Sequence, residues 1–198
     1  MKALVVYCHP KEGSFNAAVR NVVVAKLEGA QAEVRVIDLY KSNFSPTLTA
    51  QELDTYEDAS CNIEPVADHV HALKWCDTLI FVYPTWWYGL PAMLKGWLDR
   101  VMLPETAFLM PSPDRKTIAR GLAHITRLGV FTTCGASRWL TLVVGAPGKR
   151  TLFRGVGFLC ARPLKKAFAA HYLMDSSTPD SRKAHLDRVA KTMDRLLA

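Results

Sequence analysis

The chain has 198 residues, 49% hydrophobic and 10% aromatic, which is enough for one sizeable core and too few for two ordinary domains. No run of about 18 apolar residues occurs, which excludes a membrane-spanning helix, and the cysteines at positions 8, 61, 76, 134 and 160 form no C-x-x-C pair, which argues against a zinc site or a disulfide framework. The net charge of +7 is uneven, with 16 Lys and Arg against 5 Asp and Glu from Pro111 onward, so the second half can attract phosphate-bearing cofactors or anionic partners.

Met1–Tyr7 begins as an apolar run that Cys8-His9-Pro10-Lys11 interrupts too soon for a leader, so Lys2–Cys8 is expected to be the first strand of a cytoplasmic protein. Ser14 caps a helix expected over Ser14–Leu27, and Glu33–Leu39 alternates polar and apolar residues as a second strand. A polar stretch at Ser42–Ser60 precedes a helix from about Pro65 to Trp75. Thr78–Tyr83 is apolar on both faces, as a strand in the middle of a sheet must be. Pro91 opens a helix to Met102.

The irregular segment Leu103–Leu122 contains Pro104, Pro111 and Pro113 and is expected to expose Phe108, Leu109 and Met110 to a partner. A strand over Ile125–Thr133, a Gly-rich stretch to Gly148, a helix over Lys149–Cys160, a strand over Lys166–Met174 and a helix opened by Pro179 complete the order. Five strands alternating with helices imply a parallel sheet in a three-layer α/β sandwich, a single domain over residues 1–198.

In such sheets the chemistry gathers at the carboxyl ends of the strands. After the first strand, Lys11, Gly13, Ser14 and Asn16 lead into a helix amino terminus suited to an anion, with His9 as a further donor. An ordinary capped helix explains Ser14 and Gly13 equally well, because no G-x-G-x-x-G or P-loop pattern is present. After the third strand, Pro84-Thr85-Trp86-Trp87-Tyr88-Gly89 places two adjacent tryptophans in one turn. Both cannot enter one core, so at least one lines a site or an interface. Thr132-Thr133-Cys134-Gly135 forms a third loop at the same edge, and His171, in the last strand, reads as a satisfied core or surface histidine.

The spacing H-x(4)-S-F-N from His9 to Asn16, the segment Pro84–Val101 and the pair Thr132-Thr133 resemble the flavodoxin-like NAD(P)H:quinone oxidoreductases. The resemblance covers most of residues 1–137. It implies a flavodoxin-like sandwich with a five-stranded parallel sheet in the order 2-1-3-4-5 and helices on both faces. It also implies a flavin, FAD rather than FMN, with its phosphate at Ser14, Phe15 and Asn16, its ring against Pro84, Thr85, Trp86, Trp87 and Tyr88, and Thr132, Thr133 and Gly135 at the other edge. Backbone N–H groups of Trp87–Gly89 and Thr133–Gly135 are the expected donors to the ring. By the same resemblance, NAD(P)H and then a quinone-like acceptor would use one pocket in turn, a ping-pong order, in a homodimer; no metal, no nucleic acid and no stable membrane insertion are expected.

The sequence departs from the animal members after Thr133, where Cys134–Lys149 carries neither the tyrosine nor the histidine found there in that family. Arg138 and Trp139 stand in that stretch and, with Tyr88, are the candidates for contact with the reacting molecules. Two other roles fit the resemblance. A flavin-binding regulatory subunit of a potassium-efflux antiporter would use the basic half for docking. An electron-transfer flavodoxin would be shorter and acidic.

Overall fold

A computed structural model describes all of residues 1–198. Strands β1 (Lys2–Tyr7), β2 (Glu33–Asp38), β3 (Thr78–Thr85), β4 (Arg127–Cys134) and β5 (Lys165–His171) form a parallel sheet in the order β2-β1-β3-β4-β5. This is the expected 2-1-3-4-5 arrangement. Helices α1 (Phe15–Gly29), α2 (Ala67–Trp75), α3 (Ala92–Val101), α4 (Arg138–Val143), α5 (residues 147–159) and α6 (Pro179–Leu197) cover it; α5 is π-wound over Thr151–Val156.

Alternation along the strands explains the layering. Leu4 and Val6 of β1, Leu79 and Phe81 of β3 and Val130 of β4 pack on one face with Leu73 of α2, Trp97 of α3 and Leu152 of α5. Ala3 and Val5, Ile80 and Val82, and Phe131 pack on the other with Val23 of α1 and Met193 of α6. The central strand β3 is buried from Thr78 to Pro84, as its continuous apolar run requires.

Several expectations are corrected. The polar stretch 42–60 contains a short helix, Ala50–Asp54, held by a capping box between Thr49 and Glu52. Glu52 in turn accepts from Arg100 Nε at 2.7 Å, tying this corner to α3. The Gly-rich stretch contains α4, capped by the Ser137 hydroxyl. The last strand ends at His171 rather than Met174, because Leu173 turns into the left-handed region and its N–H donates to the Ala136 carbonyl at 3.2 Å.

Phe108 and Leu109 pair with Ala119–Arg120 in a two-residue ribbon, and Phe108, Leu109 and Met110 are half-buried rather than exposed. The large apolar side chains that do reach solvent are elsewhere, among them Trp87, Trp139, Leu142, Val143 and Phe158. All five cysteines are free thiols, four of them buried. No helix is long and apolar enough to cross a membrane.

Candidate functional site

The carboxyl ends of β1, β3, β4 and β5 border one cleft of about 890 Å³. It is lined by His9, Phe15 and Asn16, by Pro84 to Tyr88, by Thr133 to Ala136 and Leu140, and by Met174 and Asp175. Ten of the thirteen residues expected to hold a cofactor are in this lining; Lys11, Ser14 and Thr132 are not.

Ser14 is the helix cap. Its Oγ accepts the Ala17 N–H at 3.1 Å and lies 3.2 Å from the Tyr7 hydroxyl. The N–H groups of Phe15 and Asn16, in the first turn of α1, find no acceptor in the chain. These backbone donors are free to meet an anion, while the Ser14 hydroxyl already serves as the cap.

Asn16 is also placed differently from the expectation. Its Nδ2 donates to Thr133 Oγ1 at 2.8 Å, binding the β1 loop to the end of β4, while its buried Oδ1 has no partner. An orphaned carbonyl accepts a hydrogen bond, so Asn16 Oδ1 suits a hydroxyl of a ligand. His9 Nδ1 lies 3.0 Å from the Lys11 N–H and 3.2 Å from the Lys11 carbonyl. Burial holds the His9 pKa below its usual value, opposed by the hydrogen bond that the charged ring donates to the Lys11 carbonyl. The Lys11 side chain itself is exposed.

The β3 turn is the strained wall. Trp87 and Tyr88 take φ of 47° and 62°, and the Gly89 N–H closes the turn on the Trp86 carbonyl at 3.0 Å. Two successive positive φ values are the signature of turns that normally carry Asn-Gly, and bulky residues there are outliers. Gly89 N–H is therefore not a free donor, contrary to the expectation. Trp87 is 95% exposed and Trp86 44%.

Opposite, a Cβ at Gly135 would lie 2.8 Å from Asp175 Oδ2, so a side chain there would have to displace the exposed Asp175 carboxylate. Met174 and Asp175 escape a periodicity reading, since the expected strand ran through Met174; the Asp-Ser-Ser-Thr-Pro run starting at Asp175 is the turn signal that marks them.

A second, smaller cavity of about 270 Å³ adjoins the cleft and shares Thr85, Tyr88 and Cys134 with it. Thr132 belongs here, its Oγ1 2.8 Å from Thr85 Oγ1. Of the three candidates for contact with the reacting molecules, Tyr88 borders both spaces and Arg138 the smaller one. Trp139 borders neither; as the second residue of α4 it projects outward and is 71% exposed. His171 is buried, but Nδ1 lacks a partner, so it is not the satisfied histidine expected.

Residues 1–193 match the family model described as a flavodoxin-like fold. Ribosyldihydronicotinamide dehydrogenase [quinone] of Homo sapiens is 32% identical over 127 residues, 56% of this chain and 54% of that protein. An uncharacterized NAD(P)H oxidoreductase of Haemophilus influenzae is 35% identical over 138 residues, covering 69% and 66%. The chain spans about half the length of the first curated relatives it matches, from 43% to 54%. Among solved structures, a putative quinone reductase from Klebsiella pneumoniae superposes with a TM-score of 0.81 at 26% identity, covering 99% of this chain and 85% of that one. A protein of Streptococcus mutans UA159 gives 0.81 at 27% identity, covering 98% and 100%.

Proposed function

Since the chain belongs to the flavodoxin-like fold family, whose model spans residues 1–193, we propose that it is a flavin-dependent NAD(P)H oxidoreductase acting on quinone-like acceptors. The observation that carries this reading is the cleft, with free backbone donors at one end and an aromatic wall held in a strained turn at the other. Relatives named as NAD(P)H or ribosyldihydronicotinamide dehydrogenases support the same chemistry.

The groups left free in the cleft fit a flavin. The Phe15 and Asn16 N–H groups match its phosphate, the orphaned Asn16 Oδ1 matches a hydroxyl of its sugar chain, and the aromatic wall from Pro84 to Tyr88 matches its ring. A cleft of about 890 Å³ lies within the roughly 300–1,000 Å³ usual for such ligands. When bound, the flavin supplies hydride transfer between a reduced nicotinamide and an acceptor that occupy the pocket in turn.

The chain's own part is to bind and orient. The Trp87 and Tyr88 N–H groups, uncommitted within the protein, would be the turn's donors to the ring, and the Asn16–Thr133 bond ties together the two loops that would hold the cofactor. FAD is retained over FMN on the resemblance of the His9 loop to FAD-binding members.

We extend the proposal to a homodimer. Trp139, Leu142 and Val143 have i, i+3, i+4 spacing on α4 and are all exposed, an unpartnered apolar face next to the site. Light scattering after gel filtration should give twice 22.1 kDa.

The deciding experiment is an absorbance spectrum of the purified protein followed by anaerobic addition of NADPH. Flavin bands that bleach support the reading, and chromatography of the released cofactor separates FAD from FMN. A colourless protein that neither flavin reconstitutes overturns it.

A further inference from the structure

We infer that the smaller cavity is a binding site for a small aromatic anion, a benzene-sized ring bearing a carboxylate or phenolate, and that it seats the acid-bearing end of the electron acceptor. The second half of this inference rests on the flavin reading; the first does not.

Size sets the class. A cavity of about 150 Å³ lined by apolar side chains holds benzene. At about 270 Å³ the present one accepts a single substituted ring and excludes a nucleotide. Its floor is apolar, with Tyr83, Leu142, Phe168 and Ala170 among the walls.

Charge sets the sign. Arg138 on α4, Lys149 on α5 and Arg188 on α6 come from three separate elements to line this one space, and no Asp or Glu lines it. None of the three takes part in an ion pair, whereas Arg20, Lys26, Lys95, Arg100 and Lys183 elsewhere each have a carboxylate. Lys149 Nζ lies 4.4 Å from the centroid of the Phe168 ring, so a cation already rests on the cavity's aromatic wall. The adjoining cleft carries Asp175 instead. An acceptor with an acid group at one end is therefore drawn acid-first into the smaller space, leaving its other end toward the shared wall of Thr85, Tyr88 and Cys134.

The test uses benzoate and benzamide, equal in size and different in charge, titrated calorimetrically into the purified protein with and without flavin. Benzoate should bind at least tenfold more tightly, with an affinity that falls as salt rises. The double variant Lys149→Gln, Arg188→Gln should lose that preference while keeping its circular dichroism spectrum. Equal binding of the two probes, or a preference unchanged in the double variant, overturns the site.

The acceptor half is read from kcat/KM for 4-nitrobenzoate against nitrobenzene with NADPH. A fivefold or greater preference for the acid that the double variant loses supports it, and no preference overturns it. A protein without reducible flavin overturns the acceptor half together with the functional reading, while the benzoate titration still decides the site by itself.

Discussion

Two tryptophans ten residues apart meet opposite fates. Trp87 stands in the β3 turn, 95% exposed, on a backbone with φ of 47°. Trp97, on α3, is fully buried; it packs edge-on to Phe81 at 5.9 Å, and its Nε1 donates to His69 Nδ1 at 3.2 Å. Trp97 is what a stability-determining aromatic looks like, with its apolar area buried and its one donor satisfied. Trp87 has neither. A strained, exposed aromatic on a rigid strand end serves something other than the fold.

The comparison breaks most visibly at Trp97. Trp97→Ala should destabilise the protein by about 3–5 kcal/mol, from lost burial and the cavity left behind, with His69 Nδ1 losing its partner. Urea unfolding followed by far-ultraviolet circular dichroism reads the effect. A loss under about 1 kcal/mol would remove the contrast on which the assignment of Trp87 to function depends.

A second pair of aromatics sharpens it by pH. His171 and His185 pack edge-on with ring centroids 5.2 Å apart, both against Phe15, and both His185 nitrogens and His171 Nδ1 lack partners. Burial, with help from His171 and Arg188, pushes the His185 pKa down to about 4. The folded chain therefore resists a proton that the unfolded chain takes up below about pH 6.5. Stability is full above that pH and falls as pH drops toward 4, by about 3 kcal/mol from this group. His185→Leu should flatten the dependence; an equally steep profile in that variant would assign the acid sensitivity elsewhere.

These histidines also mark where the sequence stops being readable. The alternation of strands and helices, both buried faces and the three loops at the sheet edge follow from periodicity, Pro and Gly positions, and the Trp-Trp turn, whereas the strand order comes from the family resemblance. The lone β5 histidine looked satisfied because its surroundings are set by α1 and α6, far away in sequence. Helix α4 was masked by Gly135, Gly145 and Gly148, whose presence outweighed the Ser137 cap. Residues Met174 and Asp175 joined the cleft only because the Leu173–Ala136 hydrogen bond ends β5 early, a tertiary event that an apolar Tyr-Leu-Met run conceals. At Asn16 the side chain ties two loops together, since one amide N–H goes to Thr133 and its Oδ1 is left without a partner, which no local pattern shows.

Asn16→Ala tests that arrangement. Removing a buried side chain that joins two loops should cost about 1–3 kcal/mol of stability. It should also raise the flavin dissociation constant about tenfold, measured by fluorescence titration. Ser14→Ala, which removes the helix cap and the partner of the Tyr7 hydroxyl, should cost about 1–2 kcal/mol and leave flavin affinity within a few-fold, because the Phe15 and Asn16 N–H groups remain. Similar flavin loss in both variants would return Ser14 to the binding set.

The smallest expected change in stability is the most discriminating. Trp87→Gly relieves the left-handed backbone, a strain worth roughly 1–2 kcal/mol, while adding unfolded-state entropy worth roughly 0.5–1 kcal/mol. Because the side chain is almost fully exposed, little burial is lost, so the net effect on unfolding should be zero to slightly stabilising. If the turn is held in that conformation to present an aromatic surface, the same variant should bind flavin or nicotinamide several-fold more weakly at unchanged or improved stability. That opposition of sign is the mirror image of Trp97→Ala, where stability falls first. Unchanged cofactor and nicotinamide binding in Trp87→Gly would leave the outward-facing tryptophan to the subunit interface, where it would be read instead as a shift in the dimer dissociation constant.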